Sequence, residues 1–487
     1  MKLNQLLVGI MSDPPEKAGS INIRGITNDS RKVSKGDLFV AISGYMVDGH
    51  KYIQSAVEAG AAAIVGEKDE KEINTDVPYF RVSDGRKALA QLARIFYNPD
   101  QGNKVVIGIT GTNGKTTTSF MLKHILEYAG KTCSLFGSVY NIVNGEKEES
   151  TVNTTMDTLT LQKALNKSKD EYVIMEVSSH ALSQYRVEGI EYDIAIFTNL
   201  DHDHLDYHKN MEDYFLTKAK LFEKLKQKGT AIVDIDTQWG SRLCEMLSNE
   251  EMINLSTTGC RNADLCIRAS AGKAELIEES GLCLPLVLPI MGTHNLHNAA
   301  LAYQAARTLG LNPLEIIATL KGFEGVPGRF EVKKLPNGAT FVIDYAHTGD
   351  AFSHCLKTAR EMGAKRIIHI FGFRGDRDKS KRKKMVEASM LLSDLYILTL
   401  DDLHSETESE MANILHSLNT SKKGVVILDR TEAIEYACRH SADGDWILIT
   451  GKGDEKYHHS YTLPTSSDKE TLEYVIGERE QRMLANG

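Results

Sequence analysis

Residues 104–130, KVVIGITGTNGKTTTSFMLKHILEYAG, set the tightest limit on the fold. A β-branched apolar run passes through a glycine-bearing turn straight into a helical pattern, and that unit belongs to a parallel sheet with crossover helices. Such a turn points several backbone N–H groups, and the positive end of the helix dipole, at whatever sits in it. The stretch therefore predicts a phosphate cradle built from Gly111, Thr112, Asn113, Gly114, Lys115, Thr116 and Thr117. Gly111 and Gly114 allow close backbone approach, Lys115 reaches β/γ-phosphates, and the Thr116 hydroxyl is placed to ligate Mg²⁺. A mere connector has no use for Lys-Thr at this point. The general phosphate loop carries a glycine five residues before Gly114; here that residue is Ile109, so GTNGKT is a narrower variant.

Three sections of chain differ in pattern. Up to about residue 100, GDLFVAI and AAAIVGE alternate with helical HKYIQSAVEAGA and RKALAQLARIFYN, which predicts a small mixed α/β domain over 1–100. Asn98-Pro99 and the polar DQGNK after it read as a linker. Over 101–330 the strand-like runs VVIGIT, YVIMEVSS, DIAIFTNL and TAIVDID alternate with helices, predicting a mostly parallel sheet. After Gly-Val-Pro-Gly at 325–328 the alternation restarts with ATFVIDYAH, RIIHIFGF, LYILTL, GVVILD and DWILITG, predicting a doubly wound, Rossmann-like domain over 331–487. A net charge of −9 with interspersed signs offers no basic stripe for nucleic acid. Seven scattered cysteines without a CxxC pair, and no run of about eighteen apolar residues, predict a reduced cytoplasmic enzyme without a membrane anchor.

Further residues that can carry chemistry stand at strand ends. Glu176, in EVSSHAL, suits a second cation beside the phosphate loop, or else faces solvent. TNLDHDHLDYH at 198–208 packs three histidines and three aspartates together. Either His202, His204 and His208 form the ligand run of a metal-dependent hydrolase, or His204 helps hold the Mg²⁺ that neutralises ATP. Asn295 and Asn298, in THNLHNAA, contact a nucleotide or cap a helix. Arg329, in GVPGRFE, reaches a γ-phosphate or pairs with Glu331, and Asp344 and His347 end the first strand of the third section.

GTNGKTTT, EVSSHAL, NLDHDHLDYH, HNLHNAA, GVPGRFE and DYAHTGD, in this order over the whole chain, closely resemble the Mur ligases of peptidoglycan synthesis. TNDSRKVSKGDLFVAISGYMVDGHKYI resembles the branch that adds the third stem-peptide residue to UDP-N-acetylmuramoyl-L-alanyl-D-glutamate. The resemblance implies an N-terminal domain for the uridine nucleotide, a central ATPase and a C-terminal domain for the incoming amino acid. It implies that ATP phosphorylates the substrate carboxylate and that the amine attacks the acyl phosphate, with Arg329, Asp344 and His347 swinging onto the nucleotide by domain closure. By matching motif, Ser30 contacts the uridine nucleotide, and Asn153, Thr154, Thr155, Ser178, Gln184 and Arg186 contact the muramoyl dipeptide. Lys218 matches a carbamylated lysine, although by its residues alone it reads as an exposed helix lysine. Thr116, Glu176, His204 and the Lys218 carbamate are the implied Mg²⁺ ligands. Arg382, Gly451 and Glu455 match residues that grip the incoming amino acid, while the rest of Lys379–Lys384 reads equally as a solvated helix face.

Members that add meso-diaminopimelate carry Asp-Asn-Pro-Arg, whose arginine clamps the distal carboxylate. This chain has Asp401, Asp402, Leu403 and His404. A neutral histidine lacks the guanidinium fork and a second aspartate repels a carboxylate, which favours L-lysine as the amino acid added. Met156, Asp454 and Asp201-His202 also depart from the family pattern and leave room for a paralogue with another amino acid or acceptor. A non-catalytic nucleotide-binding scaffold is a separate alternative, and the retention of Lys115, Thr116, Glu176 and Lys218 together argues against it. The expected partners are the UDP-muramoyl dipeptide and a free amino acid, acted on by a monomer.

Overall fold

The computed structural model describes residues 1–11, 14–44, 47–97, 104–148, 153–248, 254–270, 273–335 and 337–486. The expected linker falls outside them except for Lys104. Three sheets organise the chain in sequence order. Strands Ile26–Thr27, Leu38–Ala41, Ala63–Gly66 and Tyr79–Arg81 form a parallel four-stranded sheet in that spatial order. Helix Gly85–Tyr97 covers one face with Ala88, Leu89 and Leu92.

The second sheet has eleven strands. At its centre lies Val105–Thr110, flanked by Tyr192–Phe197 on one side and Tyr172–Glu176 on the other, all parallel. Leu225–Asp234 and Asn254–Gly259 continue it one way and Cys133–Phe136 the other, still parallel. Alternation explains the central strand. Ile107 and Ile109 join the core on the side of helices Lys115–Tyr128 and Thr293–Thr308, while Val106 packs with Val173, Tyr192 and Phe197 on the opposite face. Both faces are covered, so the strand reads as one apolar run. Gly108 lies against the ring of Tyr192, where a Cβ would come within 2.7 Å of it.

The central sheet is extended by elements the sequence reading did not include. Leu265–Ser270, Lys273–Glu278 and Cys283–Leu286 form an antiparallel meander at one edge, and Asn141–Val143 with Glu146–Glu148 a hairpin at the other.

The third sheet runs Glu331–Lys334, Thr340–Asp344, Asp445–Thr450, Arg366–Phe371, Leu395–Leu398, Gly424–Val426. The five expected strands are parallel; the antiparallel edge strand Glu331–Lys334 is an addition. Behind this sheet Arg430 and Asp468 form a fully buried bidentate pair, at 2.6 and 2.7 Å, and Arg430 Nη2 also donates to the Thr450 carbonyl at 3.0 Å. The pair therefore anchors the C-terminal helix to the strand end preceding Gly451. Asp468→Ala leaves the guanidinium buried without a counter-charge and is expected to cost about 3–5 kcal/mol, read from the midpoint of denaturant unfolding. Among the described residues no helix is long and apolar enough to cross a membrane.

Candidate active site

The carboxyl ends of the parallel central strands gather the phosphate loop, Glu176, the segment Asn199–Asp203 and Asp234 at one edge, where open α/β sheets bind ligands. Gly114 takes a left-handed φ of 84°, and a Cβ there would collide with Asn298 Oδ1. Asn298 donates to Asn295 Oδ1 (3.1 Å) and accepts from Thr118 Oγ1 (3.3 Å), while Asn295 donates to the Met291 carbonyl (2.7 Å). Neither asparagine caps its helix; Asn298 buttresses the phosphate loop from behind. Asn199 stitches the loop to the neighbouring strand end, its carbonyl accepting from Thr112 N (3.0 Å) and its Oδ1 from Asn113 N (2.9 Å).

Lys115 Nζ donates to the carbonyls of Gly111 (2.8 Å) and Thr112 (2.9 Å). Burial pushes its pKa down, opposed by the charge of Glu176. Glu176 is fully buried, which removes the solvent-facing alternative. Its Oε2 accepts from Thr116 Oγ1 (3.0 Å) and Ser138 Oγ (2.9 Å), and its Oε1 from Ser138 N (3.1 Å). Lys218 is 1% exposed, not an exposed helix lysine, and its Nζ donates to the same Gly111 carbonyl at 2.8 Å. Burial and then the neighbouring Lys115 ammonium drive its pKa well below the ordinary value, which favours the neutral amine.

The three clustered histidines do not converge. His202 faces Ser380 (3.3 Å) and Lys384 (3.2 Å), His208 meets Ser179 (2.9 Å) behind the site, and His204 lies beside Asp203 (3.4 Å) with a positive φ of 56°. The hydrolase ligand set is therefore not assembled. Among the described residues the His/Cys/acid group close enough to share an ion is instead Asp236, Cys260 and His297. Burial lowers the His204 pKa strongly and keeps the ring neutral. Asp203, almost fully buried, receives Lys381 Nζ (3.0 Å) and His347 Nε2 (3.5 Å) from the third domain. Burial raises its pKa, but the ring donors around it and the Lys381 ammonium outweigh this and hold it well below the carboxylate range.

Arg329 does not pair with Glu331, which is taken by Lys469 at 2.7 Å. Its Nη2 reaches Thr116 Oγ1 (3.3 Å), and its guanidinium lies 4.2 Å from the centre of the Tyr345 ring. Arg329 and His347 thus already meet the central domain. Asp344 lines the cavity with both oxygens engaged within its own domain, accepting from Phe330 N and Ala346 N at 2.6 Å each; it clips the linker that carries Arg329.

Among the residues that the motif match expects to meet the dipeptide, Thr155 Oγ1 donates to the Glu176 carbonyl (2.8 Å) and accepts from Ser178 N (3.0 Å). Arg186 donates to the Thr155 carbonyl (2.9 Å) and to Gln184 Oε1 (2.7 Å). Thr154 accepts from Ser138 Oγ (3.2 Å), and Asn153 lies on the same wall. Ser30, in a one-turn 3₁₀ segment of the first domain, is not on that wall.

At the third-domain end, Arg382 is buried and paired with Glu406 (3.0 Å), whereas Lys379 and Lys383 are exposed. Asp401 and Asp402 do not present bare charge: the fully buried Lys452 lies 3.2 Å from Asp401 and 2.7 Å from Asp402. The expected repulsion of a carboxylate by Asp402 is thereby reduced. His404 is exposed, with a φ of 50°. Glu455 is paired with Arg374, whose Nη2 also donates to the Gly451 carbonyl at 3.3 Å. A single cavity of about 540 Å³ is walled by Lys115, Glu176, Arg186, His204, Arg329 and Glu455, among others.

Family models for the Mur ligase family catalytic domain, the Mur ligase middle domain and the Mur ligase glutamate ligase domain match residues 22–97, 109–306 and 328–453. The chain is 39% identical over 476 residues to a UDP-N-acetylmuramoyl-L-alanyl-D-glutamate–2,6-diaminopimelate ligase of Bacillus velezensis, covering 94% of this chain and 95% of the other. It is 36% identical over 475 residues, with the same coverage, to a ligase of the same name from Syntrophomonas wolfei. The chain belongs to the Mur ligase family. A solved structure of a 2,6-diaminopimelate ligase aligns with this Mur ligase over 99% of each chain at 27% identity and a TM-score of 0.68. The MurF ligase of Thermotoga maritima in complex with ADP aligns over 95% of this chain and 99% of the other, at 22% identity and a TM-score of 0.63, a likeness of fold.

Sequence reading of this Mur ligase did not single out Ser138, Lys381, Lys452 or Arg374. Lys381 stands inside the basic run Lys379–Lys384 and Arg374 directly follows the strand run RIIHIFGF, but their partners are 178 and 81 residues away.

Proposed function

We propose that the protein is an ATP-dependent amide ligase that adds an amino acid to the γ-carboxylate of the D-glutamate in UDP-N-acetylmuramoyl-L-alanyl-D-glutamate. The observation that carries this reading is the shared cavity, in which the phosphate loop, the Thr154–Ser178–Arg186 wall and the third-domain residues Arg329 and Glu455 face one space. A free carboxylate is a poor acyl donor because its leaving group would be oxide. Attack of its oxygen on the γ-phosphorus of ATP releases ADP and gives an acyl phosphate. Attack of the amine on the acyl carbon then gives a tetrahedral intermediate that expels phosphate and, with loss of the ammonium's protons, leaves the amide. Positioning and charge neutralisation supply most of the rate.

Lys115 and Arg329 carry the charges that face the phosphates in this scheme, and Arg186 with Ser178 holds the dipeptide. Thr116 and Glu176 offer hard oxygen donors that fit Mg²⁺, with His204 as a neutral neighbour; Lys218 fits the ion as a carbamate and not as an ammonium. When bound, Mg²⁺ neutralises phosphate charge. For the amino acid, the histidine at 404 favours lysine, whereas the relatives are named for 2,6-diaminopimelate. Phosphate release is expected only when ATP, the UDP-muramoyl dipeptide and an amino acid are all present, with a product of the mass of the ligated tripeptide. Release that is independent of the dipeptide would refute the acceptor.

A further inference from the structure

We propose that Arg374 is a specificity-determining residue of this ligase: its guanidinium receives a carboxylate at the far end of the incoming side chain, the task His404 cannot perform, and so directs the site to an amino acid ending in both an amine and a carboxylate. This rests on the ligase reading above and deepens it.

Arg374 stands in the turn after strand Arg366–Phe371, mostly buried, on the wall of the shared cavity. Its Nη2 donates to Glu455 and to the Gly451 carbonyl, and its Nη1 to the Tyr345 hydroxyl at 3.4 Å. Its Nε is buried without a hydrogen-bond partner. Gly451 and Glu455 are the two acceptors that the motif match assigns to the incoming amino acid, so the guanidinium occupies the place of a distal ammonium.

That occupancy decides between amino acids. A side chain ending in a bare ammonium must displace the guanidinium from Glu455 and takes from Arg374 its one directly bonded carboxylate, leaving only the charges of Asp401 and Asp402, already shared with Lys452, to hold it, which is costly. A side chain ending in both groups exchanges partners completely. Its ammonium takes Glu455 and the Gly451 carbonyl, its carboxylate takes the fork of Arg374, and no charge is left unpaired.

The other cations nearby are committed or unfixed. Arg382 is bound to Glu406, Lys452 is enclosed by Asp401 and Asp402, and His404 is exposed. Arg377 lines the cavity but is exposed, so it offers a hydrated charge and no fixed fork.

The experiment measures phosphate release by the full chain with ATP and the UDP-muramoyl dipeptide, using 2,6-diaminopimelate and lysine in parallel. Wild type is expected to prefer the former in kcat/KM. Arg374→Gln is expected to lower kcat/KM for 2,6-diaminopimelate by about 10²-fold, chiefly through KM, while lysine use is unchanged or improved. Arg374→Lys, which keeps the charge and loses the fork, is expected to fall between. Equal loss for both amino acids in both variants, a wild-type preference for lysine, or loss of the preference in Arg377→Ala but not in Arg374→Gln would overturn the proposal. Wild type releasing no phosphate with either amino acid would overturn the ligase reading itself, and this one with it.

Discussion

Lys115→Ala is expected to lower dipeptide-dependent phosphate release by about 10³-fold. Lys115 Nζ is held by the Gly111 and Thr112 carbonyls, against the loop that opens helix Lys115–Tyr128. Removing a preorganised charge aimed at a reacting phosphate costs about 10²–10³ in rate in comparable sites. Folding is not expected to suffer, because burial disfavours this ammonium and the charge of Glu176 only partly compensates. The same preparation should therefore melt at or above the wild-type temperature. Near-normal turnover would refute the assignment of the loop.

The second large effect is expected at Lys218. Burial and the Lys115 ammonium disfavour protonation of its amine, and an amine with a free lone pair attacks CO₂ to give a carbamate and a proton. Since the folded pKa is depressed, the reactive amine persists below the ordinary lysine pKa and is lost only as pH falls through the depressed value. Protein equilibrated with ¹³C-bicarbonate is expected to show one carbamate carbon signal by NMR, absent in Lys218→Met, whose side chain nearly fills the same volume. That variant should lose about 10²–10³-fold in activity, the scale for removing one charge-stabilising group. Full activity in Lys218→Arg, which cannot form the carbamate, or no difference in signal between wild type and Lys218→Met, would refute this role.

The phosphate loop was legible because its chemistry is local: strand, glycine turn, lysine and threonine lie within fourteen residues of sequence, and sterics at Gly114 confirm the need for glycine. The parallel strands were legible as apolar runs because both faces of the sheet are covered. The meander at 265–286 was not, since Lys273–Glu278, one strand in from the sheet edge, is half-exposed and reads as a polar connector. Charge pairing was the least visible layer. Asp402 read as a repulsive charge until Lys452, fifty residues on, was found against it, and Asp344 read as a nucleotide ligand although its carboxylate clips a linker. Such partners are set by topology, and pattern along the chain does not encode them.

Asp203 receives Lys381 and His347 from the same domain, while Arg329 meets Thr116 and His202 meets Ser380. Among the described residues these junction contacts are polar, so parting the two domains wets ions and hydroxyls instead of tearing an oily surface. The clasp can then part to release a finished product and re-form the same polar contacts on closing, and while it is shut the burial of Asp203 shields its ion pair from salt.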